Sequence, residues 1–121
     1  MRSMDKEAAL LRVLGHPFRL QLLEALRGGE ACVCHLCALF GRPQPYVSKQ
    51  LAELRDTGLV VDRRDGLRIY YRLSDPALGS VVDIAQLALV RLGRLRPEEA
   101  LAQETANKVV PGCDCPNCTA A

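Results

Sequence analysis

Six of the 121 residues are cysteines, and they form two trios of one spacing, Cys-x-Cys-x-x-Cys: Cys32, Cys34, Cys37 and Cys113, Cys115, Cys118. One spacing used twice in a short chain points to work for the thiols. Thiolates suit soft ions such as Cd(II), Pb(II), As(III) and Sb(III), and also Zn(II), which takes a fourth ligand. Three sulfurs without an obvious fourth donor favour an ion content with three, and As(III) and Sb(III) fit that description. On an ideal helix Cys34 and Cys37 are neighbours at i, i+3, whereas Cys32 lies about 200° around from Cys34. A regular helix therefore cannot bring all three to one ion, and ligation must distort the helix start. The tail trio, with Gly112 and Pro116 among it, has no helix to constrain it and can wrap an ion. It reads either as a second metal site or as ligands lent to the first, in the same or the other subunit. His35 stands between two thiols and could complete a Zn or Cd site, although the expectation for it is a solvated surface residue. His16, before Pro17, reads as a helix-start residue.

The elements that must position these groups follow from periodicity. Ala8, Leu11 and Leu14 recur at helical spacing from about residue 5 to 14. Pro17 suits the first turn of a second helix whose stripe is Phe18, Leu22, Leu23 and Leu26, closed by Gly28-Gly29. A short third helix is expected from about 31 to 40, with Val33, Leu36 and Phe40 inward and the first trio on it. Gly41 and Arg42 make a turn into a fourth helix with Val47, Leu51 and Leu54 on one face, ended by Thr57-Gly58. The period then falls to two. Residues 59 to 61 form one strand, and Leu67, Ile69, Tyr71 and Leu73 alternate with Arg68, Tyr70 and Arg72 in a partner, joined at Asp65-Gly66. A two-stranded ribbon must lean on the helices. Tyr70 and Tyr71 are expected to pack that wing. From about 76 to 95 a long helix is apolar on more than one face, which calls for a second cover from another subunit.

Composition bounds the rest. The chain is 49% apolar and 25% charged with net charge +2, which suits one domain with an aliphatic core. Residues 1 to 96 carry 15 Lys and Arg against 10 Asp and Glu, while residues 97 to 121 carry 1 against 4. A basic body suits a polyanionic partner. Mid-chain apolar runs such as Leu87 to Val90 are far short of a membrane span of about twenty residues. The first residues lack the apolar run of a secretory signal, so a cytoplasmic protein with reduced thiols and no membrane partner is expected. Nothing marks an enzyme: there is no nucleophile-base pair, Gly-rich phosphate loop or recognisable carboxylate pair.

Helix, turn, helix and hairpin in this order make a winged helix-turn-helix, mainly α with a β-hairpin wing. Residues 1 to 96 form the DNA-binding and dimerisation domain, and residues 97 to 121 a C-terminal extension with the Cys-rich tail. The chain resembles the ArsR/SmtB family of metal-sensing repressors over roughly residues 5 to 96. The resemblance is carried by Leu14-Gly15-His16-Pro17-Phe18-Arg19-Leu20, Cys32-Val33-Cys34-His35-Leu36-Cys37, Gln44-Pro45-Tyr46-Val47-Ser48-Lys49-Gln50-Leu51, Gly58-Leu59-Val60 and the wing from Arg63 to Leu73. It implies a homodimer on operator DNA, released by a toxic metal ion or metalloid. In the arsenic-responsive branch, which this chain resembles most, the sensor thiols map onto Cys32, Cys34 and Cys37. A sister branch binds Zn(II) in the last long helix through Asp and His, and here that helix has Asp83 but no His.

For the DNA face, donors and acceptors near the start of the fourth helix are Gln44, Tyr46, Ser48, Lys49 and Gln50. Arg42 suits a phosphate, and Arg63, Arg64 and Arg68 around the wing turn suit the backbone or minor groove. The leading expectation is a repressor that leaves its operator when As(III) or Sb(III) binds the helix-3 thiols. Cd(II), Pb(II) or Zn(II) as inducer, a thiol-based redox-sensing repressor and a metal carrier without a DNA role are the alternatives.

Overall fold

The computed structural model describes residues 3–101 together with Val110, Cys113, Cys115 and Cys118. Helix α1 (Asp5–Leu14) is followed by α2 (Pro17–Leu26), a two-residue strand β1 (Ala31–Cys32), α3 (Val33–Phe40) and α4 (Gln44–Asp56). The hairpin β2 (Val60–Asp65) and β3 (Arg68–Leu73) comes next, then a 3-10 turn (Pro76–Gly79), α5 (Ser80–Arg91) and a short 3-10 turn (Glu99–Leu101). This is the winged helix-turn-helix arrangement expected, with α3 and α4 as the pair and β2-β3 as the wing. Among the described residues no helix is long and apolar enough to cross a membrane.

Local chemistry explains the boundaries. His16 caps α2 by accepting the Arg19 amide at Nδ1, with Pro17 in the first turn. Gly41 ends α3 in the left-handed region at φ 63°, which favours glycine. The core lies between α2, α3, α4 and the inner face of the sheet. Leu22, Leu23, Leu36, Val47, Leu51 and Leu54 are all fully buried there, each stabilising by about 1.5–3 kcal/mol.

Four details depart from the sequence expectations. The sheet has three strands in the order β1-β3-β2, because Ala31 and Cys32 pair antiparallel with Tyr71 and Tyr70. Cys32 consequently leaves the helix: its extended backbone caps α3 from outside. The wing turn is Gly66-Leu67 rather than Asp65-Gly66, since Asp65 still pairs with Arg68, and positive φ falls only on Gly66, as in a type II′ turn. Leu67 therefore sits at the exposed tip instead of facing the core. The segment from 76 to 95 begins as a 3-10 turn under the Asp75 cap, and its α-helix ends at Arg91.

Helix α5 has no buried residue within the single chain, and Ile84, Leu87, Leu89 and Leu92 are exposed. It is tied to the end of α2 by a two-pronged ion pair, Arg27 to Asp83 at 2.7 and 2.8 Å. Gly79 permits this bridge: a Cβ there would stand 2.5 Å from the Arg27 side chain.

Candidate metal centre and nucleic-acid interface

Three segments build the centre: β1, the first turn of α3 and the tail. Extended backbone at Cys32 turns its thiol toward the first turn of α3, and its Sγ lies 2.8 Å from Cys34 Sγ. The helical-wheel mismatch between these two residues is thus resolved by taking Cys32 out of the helix. Cys113 of the tail joins them, the three sulfurs all lying within 4.8 Å of one another.

A second group shares Cys113. His35 is completely buried, which corrects the expectation of a solvated histidine: α3 turns it inward beneath the tail. Its Nδ1 lies 3.0 Å from Cys118 Sγ, 3.5 Å from Cys115 Sγ and 4.0 Å from Cys113 Sγ. Cys115 is itself fully buried and forms a small cluster with Cys32 and Tyr70. The Cys118 amide donates to the Cys115 carbonyl at 2.9 Å, and the Val110 amide points at Cys118 Sγ at 3.4 Å. Cys37 belongs to neither group among the described residues: one turn along α3, it packs against the main core.

Burial and mutual hydrogen bonding set the protonation of these thiols. Burial, with the Cys34 hydrogen bond next, pushes Cys32 up to about 12. Burial likewise raises Cys113 and Cys37. For Cys115 burial also acts upward, but hydrogen bonds from Cys113, the Cys118 amide and Cys32 outweigh it and the thiol is lowered. Supplying a soft cation is what would let several ionise together. The donor set fits such an ion.

The wing meets this centre directly. Arg68 at the start of β3 donates from Nη1 to Cys34 Sγ at 3.1 Å. A cleft of about 650 Å³ runs between α4 and the wing, lined by Cys32, Cys34, Gln44, Ser48, Arg68 and Tyr70 among others. The thiols and several of the residues expected to face DNA therefore border one hollow.

On α4, Gln44 and Lys49 are exposed and Ser48 is half-buried. Tyr46 is half-buried against Phe18, their rings 5.3 Å apart, and the Arg42 guanidinium lies over both rings. Gln50 is buried in the α2–α4 seam, where its Oε1 accepts from Arg19 Nε at 2.9 Å. In the wing, Arg63 is held by Glu30 at 2.6 Å and stacks on Tyr70, whose ring is buried as expected, along with that of Tyr71. Arg64 is exposed. Sequence reasoning missed Glu30 and Arg19 as the partners that fix Arg63 and Gln50. The lending of tail thiols to the first trio, one of the two readings the sequence left open, is what Cys113 does beside Cys32 and Cys34.

Comparison with known proteins bears on this geometry. A family model described as "Bacterial regulatory protein, arsR family" matches residues 16–61. The Arsenical resistance operon repressor of Escherichia coli is 42% identical over 66 residues, which are 54% of this chain and 56% of that one, so this chain spans little more than half of that relative. The Arsenic resistance transcriptional regulator ArsR1 of Pseudomonas putida is 40% identical over 98 residues, covering 69% of this chain and 75% of that protein. Among solved structures, a homodimeric winged helix-turn-helix DNA-binding domain from Mycobacterium bovis superposes with a TM-score of 0.61 at 30% identity, covering 78% of this chain and 94% of that one. With this fold, and with this identity to the Pseudomonas regulator over three-quarters of its length, the chain belongs to the ArsR family of bacterial regulatory proteins.

Proposed function

We propose that the chain is a metalloid-responsive transcriptional repressor. It works as a homodimer on operator DNA and lets go when As(III) or Sb(III) binds Cys32, Cys34 and Cys113. The observation that carries this reading is the meeting of three sulfurs within 4.8 Å at the edge of the sheet whose other two strands are the wing. A trigonal thiophile is satisfied by three sulfurs, and the arsenic-resistance regulators similar to this chain point to the same ligand class.

Two connections support transmission to DNA. Cys32 is paired in register with Tyr70 of β3, and Arg68 of the same strand donates to Cys34. Drawing Cys32 and Cys34 onto one ion displaces both supports of the wing base. Couplings of about 1–3 kcal/mol are typical between allosteric sites, and a full reversal of occupancy needs about 5.5 kcal/mol. Two sites per dimer, each at about 3 kcal/mol, meet that need. On the DNA side, Gln44, Ser48 and Lys49 take the major groove while Arg64 and Arg68 take the flanking backbone or minor groove. Arg42 and Tyr46, stacked together, brace the start of α4, and Gln50 sets its angle through Arg19.

A redox-sensing repressor ranks second. Reactive cysteines are accessible ones with a lowered pKa in an electropositive setting, whereas burial holds Cys32 up and Cys115, though lowered, is fully buried.

The test is release from a promoter fragment upstream of the protein's own gene, titrated separately with As(III), Cd(II), Pb(II) and Zn(II). Release by As(III), lost in Cys34→Ser with DNA affinity unchanged, supports the reading. Release by Cd(II) or Pb(II) alone, or by peroxide with loss of titratable thiols, overturns it.

A further inference from the structure

We infer that the tail thiols and His35 form a separate Zn(II) site of the three-cysteine, one-histidine type, fastening the tail to α3 and sharing Cys113 with the metalloid trio. Four donors on two elements 78 to 83 residues apart in sequence converge here: His35 from α3, and Cys113, Cys115 and Cys118 from the tail. Zn–S bonds of about 2.3 Å and Zn–N bonds of about 2.0–2.1 Å at the tetrahedral angle place nitrogen and sulfur about 3.5 Å apart. The observed separations from His35 Nδ1 are 3.0, 3.5 and 4.0 Å, centred on that value. All four ligand atoms lie within 4.8 Å of one another.

Burial argues the same way. An imidazole with no exposed surface is costly unless its nitrogens are engaged, and His35 Nδ1 faces sulfur on three sides. The turn that presents these sulfurs is organised around them: Cys115 and Cys118 are closed by a backbone hydrogen bond of 2.9 Å, and the Val110 amide points at Cys118 Sγ. Amides directed at ligand sulfurs are the outer support that metal thiolates carry. Four donors of mixed type suit a tetrahedral divalent ion, whereas Cys32, Cys34 and Cys113 offer only three sulfurs to an ion content with three. The two groups select ions of different class, and Cys113 is where they meet.

The site goes beyond the metalloid reading and is tested apart from it. The full, reduced, metal-free chain is titrated with Co(II) and then displaced by Zn(II) against a competing chelator. One ion per chain is expected, with the absorption of tetrahedral Co(II) and sulfur-to-metal charge transfer of three-thiolate intensity. Outer-shell partners alone are worth 10–100-fold in affinity, so Cys118→Ser and His35→Ala are expected to weaken Zn(II) by about a hundredfold or more. Cys34→Ser and Cys37→Ser are expected to bind Zn(II) as the parent does. DNA binding by each variant reports whether it folds, and Cys118→Ser, half-buried and nearly isosteric, stands in if His35→Ala does not. The site is refuted if Cys118→Ser and His35→Ala keep parental affinity, if Cys34→Ser abolishes Co(II) binding, or if the charge-transfer intensity counts fewer than three thiolates. A chain that ignores As(III) yet passes this test refutes the metalloid function and keeps the zinc site. Release by As(III) with failure here does the reverse.

Discussion

Cys32 and Cys34 are two residues apart, and their sulfurs touch because one residue is extended and the other helical. That junction is what makes the pair a ligand, and it is also why Cys37, a full helical residue facing the core, falls outside both groups. The structure thus divides the first trio, and a serine series tests the division. Cys37→Ser is expected to keep As(III)-dependent release within about twofold. Cys113→Ser is expected to lose most of it while holding DNA as the parent does. Release titrations on one labelled operator fragment check both, and loss in Cys37→Ser with retention in Cys113→Ser would return the site to the helix alone. At this scale the sequence showed which residues bear chemistry but not which of them meet. Spacing speaks for partners within one helix, while Cys113 and His35 are brought together by a long-range contact that no local pattern encodes. His35 misled for the same reason: a single polar residue on a short helix gives no sign of what will cover it.

At the scale of elements, the two-residue strand β1 is the smallest piece and the most consequential. By pairing Ala31 and Cys32 with Tyr71 and Tyr70 it extends the wing hairpin to the thiols proposed as the sensor. A strand so short carries no alternation to read, and Ala-Cys in front of an apolar run passes for a helix start. The other elements were legible because their periods are long: α2, α4 and the hairpin each show several turns or alternations of pattern. The link from Arg68 to Cys34 makes one residue serve both the wing and the thiols. Arg68→Ala is accordingly expected to weaken DNA binding on all sequences, lower the salt slope by about one, and also shrink the ratio of As(III)-free to As(III)-bound affinity several-fold. Arg64→Ala, on the neighbouring strand, is expected to change only the first two. Equal effects of both variants on the As(III) ratio would remove Arg68 from the switch.

At the scale of the molecule, an apolar face lies open among the described residues. Ile84, Leu87, Leu89 and Leu92 lie exposed along and just beyond α5, and a hollow of about 330 Å³ beside them is lined by Leu20, Phe40, Val82 and Leu89. This face was readable in the sequence as apolar residues on too many sides, and the homodimeric domain from Mycobacterium bovis that the chain resembles supports a second copy as its cover. Leu92→Lys, with a charge placed on that face, is expected to sediment as a monomer and to lose at least tenfold in operator affinity while keeping its helical content. A parent chain that sediments as a monomer at micromolar concentration would overturn the dimer.

The contact between His35 and Cys118 closes 83 residues of chain, and α4, the wing hairpin and α5 all lie inside that loop. An unfolded chain that closed a loop of this length would lose about 4 kcal/mol of entropy by the (3/2)RT ln n rule. Only the folded domain holds the histidine ready beneath the tail. An ion seated there consequently discriminates between folded and unfolded protein, and at a thousandfold excess over its dissociation constant adds about 4 kcal/mol to stability. The zinc-loaded chain is expected to melt about ten degrees or more above the metal-free one, and a chain cut after Val110 to show no such rise. Zinc supply would then govern how long the repressor survives proteolysis, so the amount of regulator, and not just its grip on DNA, would follow the metal status of its surroundings.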